Sequence, residues 1–168
     1  MLESEGDARY NTAVLIGPDG RLIGKYRKQK LEHESVRNTA GNASPVFETP
    51  YGQMGIMICA DRKDENIVRR FCANGADFLL CPSGGMCGAK TNDPIVQARS
   101  RENGIPIIFV HPAEFLVTGP DGAVLDRALL GDSLLISRRE LGTDKDQNQV
   151  FYAELRSRRR ESRTPARR

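Results

Sequence analysis

The stretch from residue 53 to residue 110 constrains the fold most. Three short runs in it, Q-M-G-I-M-I-C (53–59), D-F-L-L-C (77–81) and P-I-I-F-V (106–110), are almost continuously apolar. A strand wetted on one face alternates apolar and polar residues, whereas a near-continuous run belongs to a strand covered on both faces. Between the runs lie segments of helical period. In residues 64–74, Ile67, Val68, Phe71 and Cys72 fall on one face, and Gly75 follows where a chain leaves a helix. Asn92 or Asp93 is expected to cap a second helix, with Pro94 in its first turn, running to about Asn103 before Gly104. Strand, helix, strand, helix, strand implies parallel neighbours and an α/β layered fold.

Hairpins flank this unit. Residues 11–17 and 21–27 read as two strands around Pro18-Asp19-Gly20, and Gly119-Pro120-Asp121-Gly122 is a second turn of the same kind. Residues 45–49, 115–117, 123–126, 133–137 and 149–155 are further strand candidates, residues 31–44 read as a loop, and the first ten residues read as a polar start without a strand. A chain of 168 residues suffices for one domain. We place that domain at 1–155 and a basic disordered tail at 156–168.

The net charge of +3 conceals this division. Residues 156–168 hold seven Arg and one Glu, so the remainder of the chain is mildly acidic. The tail has no aromatic residue among its arginines, which disfavours single-stranded nucleic acid as a partner. No run approaches a membrane span in length, and the polar, acidic start is unlike an export signal. The expectation is therefore a cytoplasmic protein with reduced thiols. Cys59, Cys72, Cys81 and Cys87 show neither a C-x-x-C pair nor a histidine at zinc spacing, so no structural zinc site is expected.

Three features suggest chemistry. Cys59 ends a buried strand just before a helix, and ligands of α/β folds bind beyond the C-terminal ends of parallel strands. Backbone N–H groups at a helix start favour a thiolate, although most free cysteines are merely buried and inert. Lys28, in G-K-Y-R-K, could stabilise an oxyanion, although most lysines are only solvated. Glu32-His33-Glu34 follows it, and an acid there could hold the lysine charged and oriented.

In order, Y-N-T-A-V-L-I-G-P-D-G-R-L-I-G-K-Y-R-K, V-F-E-T-P-Y-G-Q-M-G-I-M-I-C-A-D, G-A-D-F-L-L-C-P-S-G-G and Q-A-R-S-R-E-N-G-I-P resemble the nitrilase superfamily of carbon–nitrogen hydrolases over about residues 10–155. The likeness is to the C-terminal two thirds of an amidase or N-carbamoyl hydrolase. It implies a four-layer α-β-β-α sandwich, incomplete at the N-terminus, and a Glu-Lys-Cys triad. The lysine maps onto Lys28 and the nucleophile onto Cys59. A second glutamate falls on Glu34, with Glu32 as the rival. The resemblance further implies an oxyanion-hole N–H from Ala60, a structural acid in Asp61, and pocket-lining Ser83 and Gly84. Arg99, Glu102 and Asn103 resemble a helix-packing polar set.

The implied reaction is hydrolysis of a linear amide or N-carbamoyl compound through a cysteine thioester, without a cofactor. A small-molecule substrate and a homo-oligomer assembled through the helices after the nucleophile are implied too, which leaves Ile67, Val68 and Phe71 as either core or interface. The family's general base is a glutamate well upstream of the lysine. Neither Glu3 nor Glu5 fits that position. The alternative expectation is therefore a non-catalytic relative or fragment that keeps the fold as a scaffold.

Overall fold

The computed structural model describes residues 1–84, 88–112 and 114–129. Two sheets hold the strands. The first contains β1 (Leu2–Glu5), β2 (Ala8–Ile16) and β3 (Leu22–Arg27), in the order β1-β2-β3 and antiparallel throughout. The second contains β4 (Val46–Thr49), β5 (Gly52–Ile56), β6 (Phe78–Pro82), β7 (Ile107–His111), β8 (Glu114–Thr118) and β9 (Val124–Leu129) in sequential order. Its centre, β5-β6-β7, is parallel, and its flanks are antiparallel. Helices α1 (Glu65–Ala73) and α2 (Ala89–Asn103) are the crossovers between the parallel strands.

Register sorts the faces. Gly55, Leu79 and Ile107 lie side by side across β5, β6 and β7. This row faces the helices: a Cβ on Gly55 would stand 2.8 Å from the Phe71 ring of α1 and 2.5 Å from Leu79. The next row, Ile56, Leu80 and Ile108, faces the small sheet. Ala13, Leu15 and that row line a cavity of about 440 Å³ between the sheets, with Ser83, His111 and Pro112 at one end. The sheets close on each other where Gly24 of β3 admits the Phe47 ring. Tyr26 packs on Phe71, with ring centroids 5.5 Å apart. Ile67, Val68 and Phe71 are buried within the chain, so this face of α1 is core. The expected α/β fold is thus observed.

Four details depart from expectation. The polar start forms a strand, β1, whose side chains make ion pairs instead of an apolar face. The run 53–59 leaves the ladder early: β5 ends at Ile56, and Cys59–Lys63 form a 3-10 turn. Strand β6 runs one residue past the apolar run 77–81, to Pro82, which pairs opposite Val110. Helix α2 starts at Ala89 behind an extended Gly88, so neither Asn92 nor Asp93 caps it. Both are buried within the helix and engaged by tertiary partners, Asn92 by Arg62 and Asp93 by Arg127. The two Pro-Asp-Gly turns match: Gly20 N bonds Gly17 O, and Gly122 N bonds Gly119 O, both at 2.9 Å. The strand candidates at 133–137 and 149–155, the basic tail and Cys87 lie outside the described residues.

Candidate active site

The site grows from the ends of β3 and β5. Tyr26 of β3 and Lys28, just past its end, alternate with Arg27, so the first two point inward and Arg27 to the other face of the small sheet. Lys28 is 3% exposed. Its Nζ lies 2.5 Å from Glu34 Oε1, and Asn11 Nδ2 donates to the same oxygen at 3.4 Å. Glu34 belongs to a 3-10 turn, His33–Val36, within the expected loop. Glu32 turns elsewhere and pairs with Lys63 at 2.5 Å. That pair holds the Glu32 carboxyl below its ordinary value, chiefly through the Lys63 hydrogen bond.

Cys59 occupies the elbow between β5 and α1. It has φ +49°, the positive φ found at no other described non-glycine residue. Such a backbone is uncommon for an L-residue and must be held by its surroundings. Asp61 does much of the holding. Its carboxylate accepts from Ile58 N at 2.8 Å, Tyr26 Oη at 2.7 Å, Lys30 N at 2.7 Å and Gln29 N at 3.2 Å. One side chain therefore ties the elbow to the segment that carries Lys28. Burial pushes the Asp61 carboxyl above its ordinary value, against the pull of these four donors. Burial, aided by the neighbouring Asp61 charge, likewise raises Tyr26 and keeps its hydroxyl a donor.

Lys28 and Glu34 thus meet, and Asp61 draws their segment to the Cys59 elbow. Ala60 follows in the same turn and is fully buried. Ser83 lies farther off, where its N–H donates to Val110 O at 2.8 Å and its Oγ lies 3.8 Å from Cys81 Sγ. It lines the inter-sheet cavity, which Cys59 and Lys28 do not line, and Gly84 beside it is exposed. Arg99 pairs with Glu102 and donates to the Arg62 carbonyl, and Asn103 Nδ2 bonds Arg99 O, a packing arrangement as expected. Burial pushes the Cys81 thiol up to about 12.

Sequence reasoning missed Arg62. An arginine after an acid at a strand end reads as solvated, yet Arg62 is 3% exposed and lies beside Cys59. Its neighbours Asn92 and Glu114 gave no signal either, because their partners come from distant elements.

The carbon-nitrogen hydrolase family model matches residues 1–160, and the chain belongs to that family. Among its relatives, a probable nitrilase of Schizosaccharomyces pombe is 33% identical over 108 residues, covering 63% of this chain and 40% of the relative. An omega-amidase of Xenopus tropicalis is 29% identical over 123 residues, covering 66% and 45%. The crystal structure of an amidase from Nesterenkonia superposes with a TM-score of 0.71 at 26% identity, over 84% of this chain and 63% of that one. Nit3 of Saccharomyces cerevisiae, a nitrilase-superfamily member, shares the fold at a TM-score of 0.67 and 24% identity, over 83% and 60%. The chain thus spans about half the length of the curated relatives it matches.

Proposed function

We propose that this chain hydrolyses a non-peptide carbon–nitrogen bond, in a linear amide or N-carbamoyl compound, with Cys59 as nucleophile. The observation that carries the reading is the Asp61 staple, which unites the Cys59 elbow with the segment bearing Lys28 and its partner Glu34. The Cys59 sulfur attacks the carbonyl carbon and a C–S bond forms. Lys28 Nζ and the Ala60 N–H stabilise the oxyanion. The C–N bond breaks, ammonia or an amine departs, and water then releases the acid from the thioester. Glu34 keeps Lys28 oriented. Relatives lend weight to this: the Nesterenkonia amidase, in one of its variants, carries acrylamide added at its active-site cysteine. A cytoplasmic setting and a homo-oligomer belong to the same reading.

Ammonia release from a panel of small amides and N-carbamoyl amino acids tests it. Release by the purified chain that disappears in Cys59→Ala supports the reading, and release that persists in that variant overturns it.

One observation favours a second reading, a scaffold that keeps the fold without turnover. The early acids do not face Lys28. Glu3 bonds Thr12, Lys25 and Arg27, and Glu5 bonds Arg27, all on the other face of the small sheet. General-base assistance is worth roughly 10²–10⁴-fold. A chain that acylates at Cys59 yet releases no acid from any amide fits the scaffold reading.

A further inference from the structure

A line of buried polar groups runs from β8 to the nucleophile. Arg62 Nη1 donates to the Cys59 carbonyl at 2.5 Å and lies 3.7 Å from Cys59 Sγ. Its Nη2 donates to Asn92 Oδ1 at 2.6 Å. Asn92, wholly buried in α2, donates from Nδ2 to Glu114 Oε1 at 3.2 Å. Glu114 is 1% exposed and stands opposite His111 in the β7–β8 ladder. The guanidinium also lies over the Phe109 ring, 5.2 Å from its centroid. Three elements distant in sequence therefore converge on one carbonyl.

The cost of this line argues against simple packing. Arg62 Nε and Glu114 Oε2 are buried without a hydrogen-bond partner among the described residues. A buried charged group costs stability unless its hydrogen bonds are complete, so this incompletely satisfied line needs another reason to persist. The peptide it holds supplies that reason. A peptide unit is rigid and trans, so its C=O and N–H point in opposite directions. The carbonyl of Cys59 and the N–H of Ala60 belong to one such unit. Fixing the carbonyl on Arg62 fixes the direction of the Ala60 N–H.

We propose that Arg62 is a positioning residue which, anchored by Asn92 and Glu114, aims the Ala60 N–H into the oxyanion position beside Cys59. This rests on the reading of Cys59 as nucleophile. Arg62 itself is buried and engaged by protein groups, so it is not offered as a substrate-carboxylate binder.

Two probes of one thiol separate aim from reactivity. In acylation by p-nitrophenyl acetate, a C–S bond forms through a tetrahedral oxyanion and nitrophenolate leaves with the bonding pair. Alkylation by iodoacetamide displaces iodide and develops no oxyanion. Both rates are read at Cys59 by peptide mass spectrometry, with Cys72 as the internal reference. In Arg62→Met, the ratio of acylation to alkylation at Cys59 is expected to fall by about tenfold or more, since one oxyanion donor is worth about 10²–10³-fold. Arg62→Lys restores part of the ratio, because an ammonium can still donate to the Cys59 carbonyl. Glu114→Gln loosens Arg62 from a distance and lowers the ratio less. If Arg62→Met does not fold by circular dichroism, Glu114→Gln decides alone. An unchanged ratio in the folded variants overturns the positioning role while leaving the nucleophile intact. A wild-type Cys59 that reacts no faster than Cys72 with either probe instead removes the nucleophile, and this inference with it.

Discussion

Asp61, which accepts hydrogen bonds from Tyr26, Ile58, Gln29 and Lys30, carries more of the candidate site's geometry than Lys28 or Cys59 does. Truncating it strips acceptors from the buried Tyr26 hydroxyl and Ile58 N–H and from the amides of Gln29 and Lys30. Each buried donor left unsatisfied costs about 1–3 kcal/mol. Asp61→Ala is therefore expected to lose about 3 kcal/mol or more, read as a lowered midpoint in chemical denaturation, and to lose Cys59 acylation with it. A variant as stable as the wild type would show that the staple is dispensable. At this scale the sequence was informative where a motif carried the residue. Lys28 and Cys59 stand in recognisable contexts. The choice between Glu34 and Glu32 was not legible, because both lie within reach of Lys28 along a short loop. In the fold Glu34 pairs with Lys28, while Glu32 pairs with Lys63. Arg62 was not legible either, because its burial depends on Asn92 and Glu114.

Strand β1 shows how an element can escape a reading by pattern. L-E-S-E offers no apolar face, yet Glu3 accepts from Thr12 at 2.8 Å and from Arg27 at 3.0 Å, and pairs with Lys25 besides. Hydrogen bonds from Arg27 first, and then from Lys25, hold the Glu3 carboxyl below its ordinary value of 4.5. A depressed carboxyl contributes stability that is present above its ordinary value and is lost as pH falls through the folded one. Acidification below pH 4.5 should therefore release β1 first. Amide exchange should show β1–β2 protection fading while β5, β6 and β7 stay protected; simultaneous loss in both sheets would contradict this. The central strands were legible because burial on both faces leaves a continuous apolar run. The start of α2 was not, since Asn92 and Asp93 are capping residues by type but tertiary ligands in place.

At the scale of the molecule, the site exists only where separate layers meet. Lys28 rides just past the small sheet's β3, Cys59 on the elbow after β5 of the large one, and the groups that hold Arg62 beside Cys59 come from α2 and β8. The layered α/β plan was readable from the strand–helix alternation. The convergence was not, since no local pattern records which loops meet. The bond between Tyr26 and Asp61 spans 35 positions of the chain, while each parallel crossover forms its core from closer neighbours. Contacts between distant segments close late, after loop entropy has been overcome. This sets an order in time. During refolding, protection of β5–β7 should precede the moment at which an acylating pulse begins to label Cys59. Labelling that rises in step with the first protected amides would show the opposite order. With Cys59 as the proposed nucleophile, a chain emerging from synthesis would carry an ordinary thiol until its sheets have docked, and would become an acyl acceptor only as its last act of folding.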